Sequence, residues 1–179
     1  MYRISPVNSV SAESKVAATL SQVKASLGKV PNFLATLANA PAALDGFLSL
    51  TKALARGRLS AGQREILALA VAQENECQYC LSAHTESAKA VGISGPNVLE
   101  AREGNSDDTF ERSLTRFARN IIRERGLVPD EDLDITRRAG IDDGLMLEVV
   151  ANVALNTLSN YANRLADTEI DYPVVPVAR

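Results

Sequence analysis

Apolar residues recur at helical spacing along most of the chain. Val16, Leu20, Val23 and Leu27 follow the period of one face of an α-helix, which predicts an amphipathic helix over residues 12–27 with Ser11 as its cap. The same period, with cap and breaker residues, predicts further helices near residues 31–38, 41–54, 96–102, 110–121, 130–139 and 143–167. The pattern therefore predicts an all-α protein built as a helical bundle.

One helix is predicted to be central and buried. Ser60 and Gln63 form a capping box at its start, and the run 66–72 is apolar on all sides. Glu65 places a carboxylate at the head of this apolar run, so it needs a partner. The polar segment 73–76 then interrupts the helix, and Asn75 with Gln78 forms a second capping-box pattern that predicts the start of the next helix.

That next helix carries both cysteines of the chain and its single histidine. Cys77, Cys80 and His84 are separated by three and four residues, so they share one helix face. If the chain folds back at the polar segment, Glu65 can reach this face. A thiol with a pKa of about 8.5 is only about 3% ionised at pH 7, and a helix N-terminus favours the anion. The pattern favours redox chemistry at a dithiol, and it leaves open a zinc site with three protein ligands or simple packing of two cysteines.

The spacing of Glu65, Cys77, Cys80 and His84 resembles the active-site signature of the alkylhydroperoxidase D-like group within the carboxymuconolactone decarboxylase family. The segments 30–33 and 163–168 resemble those of its peroxidase-related subgroup, and the likeness extends over about residues 28–172. This resemblance implies a single-domain bundle of the alkylhydroperoxidase D-like type and a homo-oligomer, a trimer or hexamer.

The resemblance also implies roles for the residues of the motif. Cys80 would be the peroxidatic cysteine, Cys77 its proton donor and resolving partner, and Glu65 with His84 a proton relay. The best-known members have a second histidine where this chain has Tyr79, which is therefore only an accessory candidate. Tyrosine donates a hydrogen bond but is a poor base at pH 7. No metal and no cofactor are implied.

A second set of polar residues repeats the offsets of the motif. Glu148 is followed at +12, +15 and +19 by Asn160, Asn163 and Asp167, a displacement of 83 residues from the first set. We interpret this as a degenerate internal repeat whose second copy lacks the thiols.

Composition narrows the classes of partner. The chain has 179 residues and a net charge of −3 without a basic run, so we expect one domain over 1–179, with residues 1–10 and 170–179 as arms, and no nucleic acid. No apolar run approaches the length of about 20 residues needed to span a membrane, and no leader is apparent, so we expect no membrane contact and a cytoplasmic location with reduced thiols. The proline-containing tail after residue 170 is expected to reach over a neighbouring subunit.

The sequence thus favours a thiol-dependent peroxidase or disulfide oxidoreductase that reduces hydroperoxides and is recycled by an external dithiol reductant or a redox adaptor protein. Two alternatives remain. One is a cofactor-free decarboxylase of the carboxymuconolactone type, against which the dithiol argues because that branch lacks the cysteine pair. The other is a non-catalytic redox sensor or assembly module.

Overall fold

The computed structural model describes residues 2–8 and 14–178, and this part of the chain folds into nine helices without a strand. The helices are α1 (Ser14–Leu27), α2 (Asn32–Leu37), α3 (Pro41–Leu54), α4 (Ala61–Glu74), α5 (Gln78–Ala90), α6 (Gly95–Glu103), α7 (Thr109–Arg123), α8 (Asp130–Arg138) and α9 (Asp143–Ala166). The predicted all-α fold is confirmed. The predicted cap of α1, Ser11, lies outside the described residues.

The apolar run 66–72 makes α4 the centre of the fold. Every residue of this run is buried, and α4 packs against α5, α6, α7 and α9. Leu69 and Ala72 belong to one core cluster with α1, α2 and α5, whereas Leu67 and Val71 belong to a second cluster with α7 and α9. A helix that is apolar on every side can be stable only in such a position, between two layers of other helices.

Local signals set most of the helix ends. Ser60 accepts a hydrogen bond from Gln63 N while the Gln63 side chain accepts one from Ser60 N, so the predicted capping box opens α4. Gly28 follows α1 with a φ of +77°, a conformation that glycine adopts without steric cost.

The junction between α4 and α5 differs from the prediction. Asn75 does not cap α5; it ends α4, and the N-cap of α5 is Cys77, two residues later. Glu76 adopts a left-handed φ of +53°, and Cys77 N donates to Ala72 O at 2.8 Å, which closes α4 in the manner of a helix C-terminus. The Asn75 side chain is held elsewhere, because its Nδ2 donates to Asn160 Oδ1 of α9 at 3.0 Å.

The C-terminal segment lies against helices of its own chain. Val175 N donates to Ser82 Oγ at 3.0 Å, Gln73 Nε2 donates to Ala178 O at 2.9 Å, and Arg102 donates to Pro176 O at 2.7 Å. In the conformation described the tail therefore packs on helices of its own chain. Its predicted reach over a neighbouring subunit stays a prediction. None of the helices described is both long and apolar enough to cross a membrane.

The two halves of the proposed repeat are built differently. The segment from Glu65 to His84 is broken into α4 and α5, whereas α9 runs from Asp143 to Ala166 without interruption. A separation of twelve residues along one helix is about 18 Å, so Glu148 and Asn160 cannot meet as a folded-back pair would. Glu148 instead accepts hydrogen bonds from Arg58 N and Leu59 N at the loop before α4. The repeat remains a prediction about the sequence alone.

Candidate functional site

The two cysteines lie at the N-terminus of α5 and are joined by a disulfide bond. Cys77 is the N-cap, and its Sγ accepts a hydrogen bond from Cys80 N at 3.3 Å. Cys80 lies in the first turn, where amide groups without intrahelical partners create a positive potential. Both residues are buried. The position favours a thiolate when the disulfide is reduced.

Glu65 and His84 meet beside the dithiol because α4 and α5 fold back on each other. His84 Nδ1 and Glu65 Oε2 are 2.8 Å apart, and about a quarter of each side chain is exposed. His84 also lies one helical turn beyond Cys80, on the same face of α5. A carboxylate that holds one ring nitrogen fixes the orientation of the imidazole and leaves Nε2 to exchange a proton. The fold-back predicted from the sequence is thus present.

Cys80, Glu65 and His84 line a common cavity of about 400 Å³. Most of the remaining wall is apolar and includes Phe33, Leu34, Phe47, Leu54, Leu155 and Tyr172. The other residues that α9 contributes to this wall are polar: Asn152, Asn156, Ser159 and Asn163. The ring of Phe33 packs edge-to-face on that of Phe47 with centroids 5.0 Å apart. The sulfur of Cys80 therefore adjoins a space that suits an organic molecule and contains an acid–base pair.

Asn163 of α9 contacts the sulfur directly. Its Nδ2 donates to Cys80 Sγ at 3.4 Å, and the residue is 4% exposed. A buried N–H donor stabilises a thiolate more than a thiol, so this contact adds to the effect of the helix terminus. The sequence had marked Asn163 through the offset of 83 residues and through the resemblance of segment 163–168 to the peroxidase-related subgroup; no local pattern indicated that it would touch Cys80.

Tyr79 connects three parts of the site rather than acting as a base. Its hydroxyl donates to Asp171 Oδ1 at 2.7 Å and accepts from Phe33 N at 3.1 Å, and its ring meets that of Tyr172 edge-to-face. Burial, followed by the hydrogen bond to Asp171, raises the pKa of Tyr79 well above its usual range. Its phenol therefore stays protonated at neutral pH, and its contacts fix α5 against α2 and the C-terminal segment.

The zinc alternative has no ligand cluster in the part of the chain described. No group of three or more His, Cys, Asp or Glu side chains there is arranged to hold a metal ion. His84 instead directs Nδ1 at Glu65.

A comparison with protein families identifies the segment that contains this site. Residues 41–111, from α3 to the start of α7, match the carboxymuconolactone decarboxylase family. The match covers 71 of the 179 residues. The resemblance inferred from the motif is confirmed. A curated relative in Paracoccus denitrificans, uncharacterized protein 4 in the cox locus, is 33% identical over 58 residues, which are 32% of this chain and 52% of that protein. The match thus spans about half the length of that relative.

Solved structures extend the likeness beyond the family segment. The alkylhydroperoxidase D core of an uncharacterized peroxidase-related protein from Ralstonia eutropha JMP134 has a TM-score of 0.85 and 22% identity, covering 95% of this chain and 92% of its own. A peroxidase-related protein from Silicibacter sp. TM1040 has a TM-score of 0.80 and 19% identity, covering 93% of this chain and 92% of its own. The debrominase Bmp8, solved as a cysteine-to-alanine variant with 2,3,4-tribromopyrrole, has a TM-score of 0.79 and 21% identity, covering 94% and 91%. At these identities the likeness establishes the alkylhydroperoxidase D-like fold.

Proposed function

We propose that the protein is a thiol-dependent peroxidase that reduces organic hydroperoxides through the Cys77–Cys80 dithiol. The observation that carries this proposal is the common cavity of Cys80, Glu65 and His84, with a disulfide partner three residues away. Nucleophile, proton-transfer pair and resolving thiol are the groups that a peroxidase cycle needs.

In the reduced protein the thiolate of Cys80 attacks the terminal oxygen of the hydroperoxide. The O–O bond breaks, Cys80 becomes a sulfenic acid, and the alkoxide leaves as an alcohol after His84 supplies a proton. The sulfur of Cys77 then attacks the sulfenic sulfur, and the disulfide forms as water is released. Glu65 holds the imidazole in place through both proton transfers. An external thiol reductant returns the two electrons, and no step requires a metal or a cofactor.

The cavity supports an organic rather than an inorganic peroxide. A volume of about 400 Å³ greatly exceeds that of hydrogen peroxide, which is only slightly larger than a water molecule of about 30 Å³. The apolar side chains around Cys80 would bind the carbon body of a substrate by excluding water.

A second reaction uses the same groups. The apolar cavity also suits a brominated ring, the kind of molecule bound by the debrominase that shares this fold. The thiolate of Cys80 would take the bromine from carbon, His84 would protonate the ring carbon, and Cys77 would displace bromide from sulfur as the disulfide forms. Bromide release from 2,3,4-tribromopyrrole in the presence of dithiothreitol tests this candidate.

An assay with cumene hydroperoxide and dithiothreitol tests the peroxidase proposal. We expect continuous consumption by the wild type, none above background with Cys80→Ser, and slower consumption with Cys77→Ser, in which dithiothreitol must reduce the sulfenic acid of Cys80 directly. Unchanged turnover by Cys80→Ser would refute the assigned roles. Loss of thiols without turnover would favour a redox sensor, and decarboxylation of a lactone acid by the Cys77→Ser, Cys80→Ser double variant would favour the decarboxylase.

The proposal includes a homo-oligomer, which an exposed apolar stripe on α9 supports. Leu147 and Tyr161 lie fourteen residues apart and are 71% and 58% exposed; Leu158 and Leu165 lie seven apart and are 44% and 64% exposed. A spacing of seven residues is typical of helices that pair with another helix. A second copy of α9 is the simplest partner for it. The cytoplasm, where thiols rest reduced, is the expected compartment.

A further inference from the structure

The disulfide lies between two cavities, one on the side of each cysteine. The cavity of about 400 Å³ includes Cys80 in its wall, whereas a second cavity of about 240 Å³ includes Cys77, and among the described residues neither wall contains both cysteines. Tyr79 and Asn163 contribute to both walls and so separate the two spaces. The second cavity is further lined by Glu76, Gln78, Arg164, Asp167, Thr168 and Ile170.

Thr168 and Asn163, which line this second cavity, each carry a buried polar atom without a partner in the part of the chain described. Asn163 Oδ1 and Thr168 Oγ1 are buried and make no hydrogen bond within the part of the chain described, and their residues are 4% and 8% exposed. Buried polar atoms in folded proteins are nearly always paired, so two of them at one cavity point to a ligand. The carbonyl oxygen of Asn163 needs a donor, and the hydroxyl of Thr168 can donate or accept. A peptide group supplies both an N–H donor and a C=O acceptor.

The rim of the cavity carries charges of both signs. Arg164 and Glu76 lie 3.7 Å apart, with half or more of each side chain exposed. Arg164 also donates to the backbone oxygen of Asn75, which anchors its guanidinium at this rim. A peptide that carries both an ammonium and carboxylates would meet complementary charges there.

We propose that this Cys77-side cavity is the entry site of the reductant, and that the reductant is a cysteine thiol within a peptide. This inference rests on the proposed dithiol cycle. Two entrances allow oxidant and reductant to reach the two sulfurs from opposite sides, so neither has to leave before the other binds.

Reduction of the disulfide begins at Cys77, because the second cavity gives the reductant access to that sulfur. The peptide thiolate attacks Sγ of Cys77, the S–S bond breaks, and Cys80 leaves as a thiolate that accepts the hydrogen bond from Asn163. A second thiolate then attacks the peptide sulfur of the mixed disulfide. This step releases the oxidised reductant and leaves Cys77 as a thiolate, which takes up a proton. Two electrons pass from two thiols to the protein disulfide.

Single-cysteine variants test the side of attack without any peroxide. Cys80→Ser retains the thiol of Cys77, and Cys77→Ser retains that of Cys80; each is incubated with oxidised glutathione, and the mixed disulfide is followed by intact mass. We expect Cys77 to be modified about tenfold faster than Cys80 when each rate is divided by that variant's rate with iodoacetamide, which corrects for thiolate reactivity. Equal corrected rates, or faster modification of Cys80, would overturn the proposal.

A matched pair of threonine variants tests the peptide-binding site. Thr168→Val removes the unpartnered hydroxyl of the cavity, whereas Thr85→Val removes a buried, unpartnered hydroxyl that lines neither cavity. We expect Thr168→Val to slow reduction of the disulfide by glutathione about two- to tenfold, the worth of one hydrogen bond, and to leave reduction by dithiothreitol unchanged. Thr85→Val should alter neither rate. An unaltered rate of reduction by glutathione in Thr168→Val would overturn the proposal. Failure of the peroxidase proposal would be seen separately, because pre-reduced wild type would then consume no hydroperoxide.

Discussion

Replacement of Asn163 by leucine tests whether the protein stabilises a thiolate at Cys80. Leucine has the same branching and the same number of side-chain heavy atoms as asparagine but cannot donate a hydrogen bond, so the contact from Nδ2 to Cys80 Sγ, 3.4 Å long, is lost. A hydrogen bond to a charged group contributes about 1.5 to 3 kcal/mol, and the long N–H···S contact favours the lower figure. Since 1.36 kcal/mol corresponds to a factor of ten, the thiolate population at pH 7 should fall about tenfold.

The assay measures alkylation of Cys80 by iodoacetamide across pH in a Cys77→Ser background, where Cys80 is the single thiol. We expect about tenfold slower alkylation at pH 7 in the Asn163→Leu variant, with the curves converging at high pH as the thiol ionises fully. Asn160→Leu is the matched control, because Asn160 lies on the same buried face of α9 but contacts Asn75 rather than sulfur. Equal alkylation rates at pH 7 for Asn163→Leu and the background would refute the stabilisation of the thiolate by α9.

Three further predictions concern the relay, the assembly and stability. Glu65→Gln should lower hydroperoxide turnover about ten- to a hundredfold while both thiols remain titratable, because His84 loses its ionic partner; full turnover would exclude Glu65 from the relay. If the proposed homo-oligomer forms through α9, Leu158→Glu should lower the mass measured by light scattering to that of a monomer; an oligomeric mass unchanged from the wild type would exclude the α9 stripe as an interface. Burial opposes ionisation of Glu74, but hydrogen bonds from Arg123 and Arg119 outweigh this effect and lower the pKa of Glu74 in the folded protein. The ionised side chain therefore stabilises the fold above the pKa of the unfolded glutamate, and this stabilisation is lost as the pH falls through the pKa of the folded state. Glu74→Gln should therefore lower the unfolding free energy by about 1 kcal/mol in urea at pH 7, and by progressively less as the pH falls below the pKa of the unfolded glutamate; a loss that does not shrink on acidification would contradict this.

The helices and the motif could be predicted because their signals are local. The capping box of Ser60 and Gln63 depends on residues three apart, and the placement of His84 one turn beyond Cys80 depends on the period of one helix. The meeting of Glu65 with the imidazole required only a break between two helices, which the polar segment 73–76 indicated.

The features that the sequence did not predict depend on contacts between distant residues. We expected Asn75 to cap α5, but its Nδ2 donates a hydrogen bond to Asn160 Oδ1 of α9, 85 residues away. The N-cap of α5 is Cys77 instead. The phenol of Tyr79 is fixed by Asp171 of the tail, 92 residues away. No pattern within one segment shows which residue of a remote segment will lie opposite it, so such partners emerge only from the folded chain.

A single-turnover titration tests whether Cys80 and Cys77 together reduce one hydroperoxide per chain. Fully reduced protein is mixed with increasing cumene hydroperoxide without reductant, and the cumyl alcohol formed is compared with the free thiols that remain. We expect one alcohol per protein chain, the loss of both thiols, and a Cys77–Cys80 disulfide as the product. Thiol loss without stoichiometric alcohol, or alcohol formation by Cys80→Ser at the wild-type rate, would contradict it.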